Sequence, residues 1–150
     1  MDINYKLYQD KDYDDLIKMI LFLYNEDPEG EPIDERKINN TINEFKKNPQ
    51  GINIYMIEKH GENIGYAILV YFWSNEWGGN ILIIDELYVV ENYRGKGVAT
   101  EFLSYAENLE NIVAIQLETT PSNKRVLGYY KRLGFFPSQN THLIKPRLVG

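Results

Sequence analysis

The chain has 150 residues, 43% hydrophobic and 25% charged, proportions that predict one globular domain spanning residues 1–150. Its net charge of −6 argues against general nucleic-acid binding, and its lack of cysteine excludes disulfides, thiolate metal sites and a cysteine nucleophile. With only two histidines, a multi-histidine metal site is excluded as well. A signal-peptide pattern and a membrane-length apolar run are both absent, so we expect a cytoplasmic protein without membrane partners.

The spacing of apolar residues predicts alternating helices and strands. In chain order these are a strand at 4–8, helices at 12–24 and 34–47, strands at 52–58, 64–73 and 81–90, a helix at 100–109, a strand at 112–118, a helix at 122–133 and a strand at 142–148. Pro28, Gly30 and Pro32 separate the first two helices, and the turn at 59–62 makes a hairpin of the strands beside it. The order predicts a single α/β domain with a late strand–helix–strand–helix unit.

The most informative segment is the glycine turn that follows the strand at 81–90. Its sequence is Arg94-Gly95-Lys96-Gly97-Val98-Ala99, and it opens a helix. Such a turn presents backbone N–H groups at the positive end of a helix, and glycine lets a phosphate approach closely. A ligand-free turn would also accept two glycines. Of the known phosphate motifs, Walker A is absent, and the dinucleotide pattern Gly-x-Gly-x-x-Gly fails at Thr100.

The sequence resembles the GNAT acyltransferase superfamily. The coenzyme A signature of that superfamily, Gln/Arg-x-x-Gly-x-Gly/Ala, matches Arg94 to Ala99. Its second signature, an Asn, a Tyr seven residues later and then Leu-Gly-Phe, matches Asn123, Tyr130 and residues 133–135. The resemblance implies a GNAT-like α/β (α+β) domain with a central mixed, mostly antiparallel sheet flanked by helices. It also implies acetyl-CoA as cosubstrate, with no metal.

The resemblance further implies how acetyl-CoA is bound. The amides from Gly95 to Thr100 would hold the pyrophosphate, and the backbone of residues 87–89 would pair with the pantetheine arm like an added strand. The implied cofactor-binding residues are Leu87, Tyr88, Val89, Arg94, Gly95, Lys96, Gly97, Val98, Ala99, Thr100 and Asn123.

Tyr130 is the candidate general acid. A departing thiolate, with a reference thiol pKa of about 8.5, benefits from a proton donor. A tyrosine hydroxyl, with a pKa of about 10, stays protonated at neutral pH and can donate. The resemblance gives Tyr130 this role, although core packing would also account for a tyrosine on a helix.

Three carboxylates are candidates for the base that deprotonates the amine. Glu118 ends an apolar strand in a context that matches family members with a basic glutamate, and Glu86 matches a position that is usually acidic in the superfamily. Asp85 is the third candidate. Adjacent strand residues point to opposite faces, so Asp85 and Glu86 serve one site only if a bulge intervenes. A structural acid bonded to backbone or arginine would also account for each of them.

The function predicted from these residues is N-acetyl transfer from acetyl-CoA to a primary amine by direct attack, since no cysteine is available for a covalent intermediate. Six acids and no base lie between Glu26 and Glu35, which indicates a cationic acceptor such as a polyamine, an aminoglycoside or a peptide amine, or else a solvated loop. The alternatives are a non-catalytic acyl-CoA-binding module of GNAT-like fold and a dinucleotide-binding fragment. The sequence leaves open a homodimer, the acyl chain and the identity of the acceptor.

Overall fold

The computed structural model describes residues 2–26, 28, 30–119 and 123–147, and its contacts divide the chain into two units, 1–118 and 119–150. The elements of the first unit are β1 (Ile3–Leu7), α1 (Tyr13–Glu26), α2 (Glu35–Lys47), β2 (Ile52–Lys59), β3 (Glu62–Ser74), β4 (Gly79–Val89), α3 (Val98–Glu107) and β5 (Ala114–Leu117). Short 3-10 turns at Asp10–Asp12 and Glu91–Tyr93 precede α1 and follow β4. The second unit contains α4 (Lys124–Arg132).

The five strands form one sheet in the order β1-β2-β3-β4-β5. The first three pairings are antiparallel, and the pairing of β4 with β5 is parallel. A parallel pair needs a crossover, which α3 provides between β4 and β5. The prediction of a mixed, mostly antiparallel sheet is therefore confirmed.

Helices cover both faces of this sheet because the strands alternate apolar residues on two sides. On one face, α1 and α2 bury side chains that share a core with β2 and β3. This core includes Leu16, Ile20, Ile38, Ile42, Ile54, Met56, Tyr66 and Ile68. On the other face Phe102 of α3 is fully buried, with its ring 5.4 Å from that of Tyr5 and 6.2 Å from that of Tyr55.

The prediction of a strand at 142–148 is wrong for residues 142–147, which form no strand. Leu148 lies outside the described residues. Leu143 and Ile144 are 91% and 89% exposed, and Pro146 has no N–H to give to a ladder. Strand propensity alone does not form a strand without a partner to pack and pair against.

Within the described ranges, no helix is long and apolar enough to cross a membrane. The same residues contain no group of three or more histidine, aspartate or glutamate side chains that could hold a metal ion.

Candidate active site

The glycine turn between β4 and α3 has the form of an anion site. Gly95 and Gly97 have φ values of +74° and +83°, in the left-handed region that favours glycine. A Cβ atom at either position would meet no other atom within 4 Å, so the space beside this backbone is open. Gly97 directly precedes α3, whose first-turn amides lie at the positive end of the helix dipole.

Two lysines add positive charge beside this turn. The Nζ atoms of Lys96 and Lys59 each lie 5.5 Å from the centre of the Tyr93 ring. Lys59 is the last residue of β2, and no sequence pattern points to it because it is distant along the chain from the glycine turn. The pair offers a second source of charge for a phosphate group.

Arg94 of the coenzyme A signature makes contacts within the protein. Its Nε donates to the carbonyl of Val89 at 2.7 Å, and its guanidinium pairs with the Glu26 carboxylate at 3.0 Å. The same guanidinium lies over the ring of Tyr88, 5.1 Å from its centre. In this structure Arg94 therefore joins the end of α1 to β4.

One edge of β4 is left open towards its carboxyl end. Antiparallel pairing with β3 continues to Val89, but parallel pairing with β5 covers only Ile81 to Ile84. Across residues 85–89, no strand within the described residues pairs with β4 on the β5 side. This stretch contains residues 87–89, whose backbone the resemblance implies will pair with the pantetheine arm, and its open edge could accept an added strand.

A bulge in β4 accommodates the two adjacent carboxylates. Ile68 pairs with Glu86 and Leu69 pairs with Ile84, so Asp85 has no partner residue on β3. The strict alternation that would separate Asp85 from Glu86 is therefore broken at this point. Glu86 faces α1, from which Tyr24 reaches it.

Glu86 is held by two tyrosine hydroxyls. Tyr24 donates to one carboxylate oxygen at 2.5 Å, and Tyr66 donates to the other at 2.7 Å. Burial raises the pKa of Glu86, the two hydrogen bonds oppose that rise, and the neighbouring Asp85 adds to it. Sequence reasoning missed Tyr24 and Tyr66, because their positions are indistinguishable from ordinary core positions until the helix is docked on the sheet.

The three candidate bases lie near the point where the pairing of β4 with β5 ends. The parallel pairing of β4 with β5 ends at Ile84 and Leu117, so Asp85 and Glu118 are the residues that directly follow it on the two strands. Partial burial, and then the carboxylate of Glu118, raise the pKa of Asp85. Asp85 and Glu118 are both exposed at the surface, whereas Glu86 is half-buried, so Glu86 has the least access to water of the three.

The second signature corresponds to a capped helix, α4, in the second unit. The side chain of Asn123 accepts from the backbone N–H of Val126 at 3.2 Å and caps the start of α4. At the other end, Gly134 has φ of +100° and donates to the carbonyl of Lys131, while Phe135 donates to that of Tyr130. These two bonds form a Schellman motif, in which the rings of Phe135 and Tyr130 meet at 5.7 Å.

Tyr130 lies in the last turn of this helix and is partly buried. Burial raises the pKa of its hydroxyl, which therefore stays protonated at neutral pH and can donate a proton.

The acidic segment between α1 and α2 is only partly free to meet a ligand. Glu26 pairs with Arg94, and Asp34 caps α2 by accepting from the N–H of Lys37 at 2.9 Å. Glu31 and Glu35 are exposed. Asp27 and Glu29 lie outside the described residues.

A comparison with models of protein families identifies one family. The model of the acetyltransferase (GNAT) family matches residues 14–135. Thialysine N-epsilon-acetyltransferases of Bos taurus and Mus musculus are 28% identical over 74 residues, which are 47% of this chain and 43% of each relative. The match thus spans less than half the length of these curated relatives.

Solved structures share the fold. A possible acetyltransferase from Clostridium difficile 630 superposes with a TM-score of 0.82 at 20% identity, over 100% of both chains. An aminoglycoside acetyltransferase from an uncultured soil metagenomic sample, in complex with sisomicin, gives 0.71 at 10% identity, over 99% of this chain and 97% of that one.

Gly128 and Gly134 of the second unit should respond oppositely to alanine. Gly134→Ala forces a left-handed residue to carry a Cβ and should destabilise the protein by about 1 kcal/mol. Gly128→Ala, inside α4, adds a Cβ that meets only Arg132 at 3.7 Å and should stabilise by about 0.5–1 kcal/mol. Urea unfolding followed by circular dichroism measures both, and equal effects of one sign would contradict the Schellman assignment.

Proposed function

The chain belongs to the acetyltransferase (GNAT) family, and we propose that it transfers the acetyl group of acetyl-CoA to a primary amine of a cationic acceptor. Two of its relatives are named for acceptors of this kind, thialysine and an aminoglycoside.

A cluster of uncompensated carboxylates supports a cationic acceptor. The charge of Asp85 acts on Glu86, that of Glu118 acts on Asp85, and within the described residues none of the three forms an ion pair with a lysine or arginine. Glu86 is half-buried, and a carboxylate partly taken out of water without a counter-charge is costly, so a neighbouring ammonium would offset that cost. An amine acceptor arrives at neutral pH as an ammonium, because its pKa is about 10.

The glycine turn fits the pyrophosphate of acetyl-CoA. Its backbone amides, from Gly95 to Thr100, adjoin open space that any side chain at Gly95 or Gly97 would fill. Lys96 and Lys59 lie beside the turn, and the unpaired edge of residues 87–89 is available to an extended amide-bearing chain. When bound, acetyl-CoA supplies the acetyl group as an activated thioester.

Glu86 is the base that we favour over Glu118 and Asp85. A base works best when its pKa is near the working pH, and burial moves the pKa of Glu86 in that direction. Glu86 is also the one of the three that has two hydrogen-bond donors holding its orientation. In the balanced reaction a C–N bond forms, the thioester C–S bond breaks and the ammonium nitrogen loses two protons. Glu86 takes the first and passes it to solvent. Tyr130 gives a proton to the leaving sulfur and is restored by the second proton lost from nitrogen.

Acetyl-CoA binding and amine-dependent thiol release test this function directly. The protein should bind acetyl-CoA more tightly than NAD in calorimetry and release thiol when polyamines, aminoglycosides or lysine-bearing peptides are added. Gly97→Leu should abolish binding by filling the open space, whereas Gly61→Leu, at φ +78° in the turn between β2 and β3, imposes similar strain and should bind normally. Binding without thiol release for any amine would identify a non-catalytic acyl-CoA module instead.

Removal of the Tyr130 hydroxyl should lower the rate of the chemical step. For Tyr130→Phe we expect kcat to fall about tenfold to a few thousandfold, with acetyl-CoA affinity largely retained, because the general acid is lost but the ring still packs on Phe135. Tyr129→Phe, one residue away on α4, is the matched control and should keep its kcat. If both variants turn over like the parent, Tyr130 has a packing role only.

The acidic segment should speed encounter with a polycation without affecting chemistry. Glu26 is left unchanged because it pairs with Arg94, and three other acids are neutralised by Glu31→Gln, Asp34→Asn and Glu35→Gln. The α2 cap is kept, since asparagine caps as well as aspartate. This variant should show a raised KM for a polycationic acceptor and an almost unchanged kcat. The triple control Glu62→Gln, Glu76→Gln and Glu107→Gln changes the net charge equally at other exposed sites. Equal KM values for the two variants would make the segment a solvated loop.

A further inference from the structure

Glu86 receives one donor on each carboxylate oxygen, and the two donors come from different layers of the fold. Tyr66 belongs to β3 within the sheet, and Tyr24 belongs to the last turns of α1. The distances of 2.5 and 2.7 Å are those of a hydroxyl bonded to an ionised carboxylate. Burial raises the pKa of both tyrosines, so both hydroxyls remain donors wherever Glu86 titrates.

This arrangement orients a charge without neutralising it. An arginine or lysine beside Glu86 would stabilise the buried carboxylate more strongly, yet in the described part of the chain no such pair is formed. Two neutral donors favour the ionised form of the carboxylate without cancelling its negative charge. The group is thus kept available to a cation.

The two tyrosines differ in how firmly the fold fixes them. Tyr66 is fully buried and stacks on Tyr88 with 6.0 Å between ring centres. Tyr24 is only half-buried, and α1 is held at this end by the pair between Glu26 and Arg94. Arg94 lies over Tyr88, so the contacts form a closed ring from Glu86 through Tyr24, α1, Arg94, Tyr88 and Tyr66 back to Glu86.

We propose that Tyr24 is a positioning residue for acetyl transfer, whose hydroxyl fixes and keeps ionised the Glu86 carboxylate that accepts the proton of the cationic amine. The inference rests on the proposed function, in which Glu86 is the base. The groups that face this carboxylate are Tyr24 from α1, Tyr66 from β3 and Asp85 from β4 itself. Of these, only the contribution of Tyr24 is removed by the substitution below.

Loss of the Tyr24 hydroxyl should raise the pKa of Glu86. The ionised form of Glu86 loses a hydrogen bond, while burial and Asp85 continue to favour the protonated form, so its pKa must rise. The base is then protonated over a wider range of pH. In Tyr24→Phe the acidic limb of the kcat/KM profile should therefore move to higher pH by about one unit.

The test compares Tyr24→Phe with Tyr13→Phe in the full chain. Tyr13 lies on the same helix and donates to Asn39 at 2.8 Å, so its substitution removes a similar hydroxyl away from Glu86. Carbon-13 NMR of labelled glutamate carboxyls gives the pKa of Glu86 without turnover, with the resonance assigned by its loss in Glu86→Gln. We expect Tyr24→Phe to raise this pKa and to shift the acidic limb equally, and Tyr13→Phe to do neither.

Other outcomes would overturn the inference and separate it from the proposed function. A uniform loss of kcat/KM in Tyr24→Phe at every pH, with the pKa of Glu86 unchanged, would make Tyr24 merely structural. An acidic limb that persists in Glu86→Gln would remove Glu86 as base while leaving acetyl transfer intact. If no amine stimulates thiol release by the parent protein, the proposed function fails, and a raised pKa in NMR then reports a structural clamp without a catalytic role.

Discussion

The site depends on a change in the pairing of β4. This strand pairs with β3 over its whole length but with β5 for four residues only, from Ile81 to Ile84. Where the pairing with β5 stops, the bulge at Asp85 begins, and β4 continues with one open edge to the glycine turn. A strand paired on both sides has no backbone groups left over for an added chain. The end of the β5 pairing thus leaves an unpaired edge on β4 among the described residues, directly beside the bulge that displaces Asp85.

Positive and negative side chains gather at different places in the first unit. The protein is acidic as a whole, yet Lys96 and Lys59 lie beside the turn suited to phosphate, whereas Asp85 and Glu86 lie at the β4 bulge and the charge of Glu118 reaches Asp85. Local charge, rather than the net charge, is what a bound group meets within a Debye length of about 8 Å. An anionic cosubstrate and a cationic acceptor would therefore be drawn to different parts of the first unit.

The two signatures owe their spacing to different physics. Positions 95 and 97 need glycine because the backbone has positive φ there, just before a helix. The second signature has the length of one helix: Asn123 caps its start, and Gly134 ends it in a Schellman motif that brings Phe135 onto Tyr130. Most of that signature therefore has a structural role, and it sets Tyr130 at a fixed place in the last turn. Arg94 likewise makes its contacts within the protein, to Glu26 and Val89.

The sequence by itself determined the elements and the family. Strands β1 to β5, helices α1 to α4 and the turn at Gly95 and Gly97 follow from local periodicity and turn chemistry, which act over a few residues. The strand expected at 142–148 failed because pairing is not a local property: Leu143 and Ile144 have the right propensity but are exposed. Only the tertiary structure decided that Glu86, among the three carboxylates, receives hydrogen bonds from two tyrosines. The bulge at Asp85 depends on register with β3, and the bonds from Tyr24 and Tyr66 to Glu86 join residues 62 and 20 positions away along the chain. No window of sequence contains such contacts, because they form only when α1 packs on the sheet.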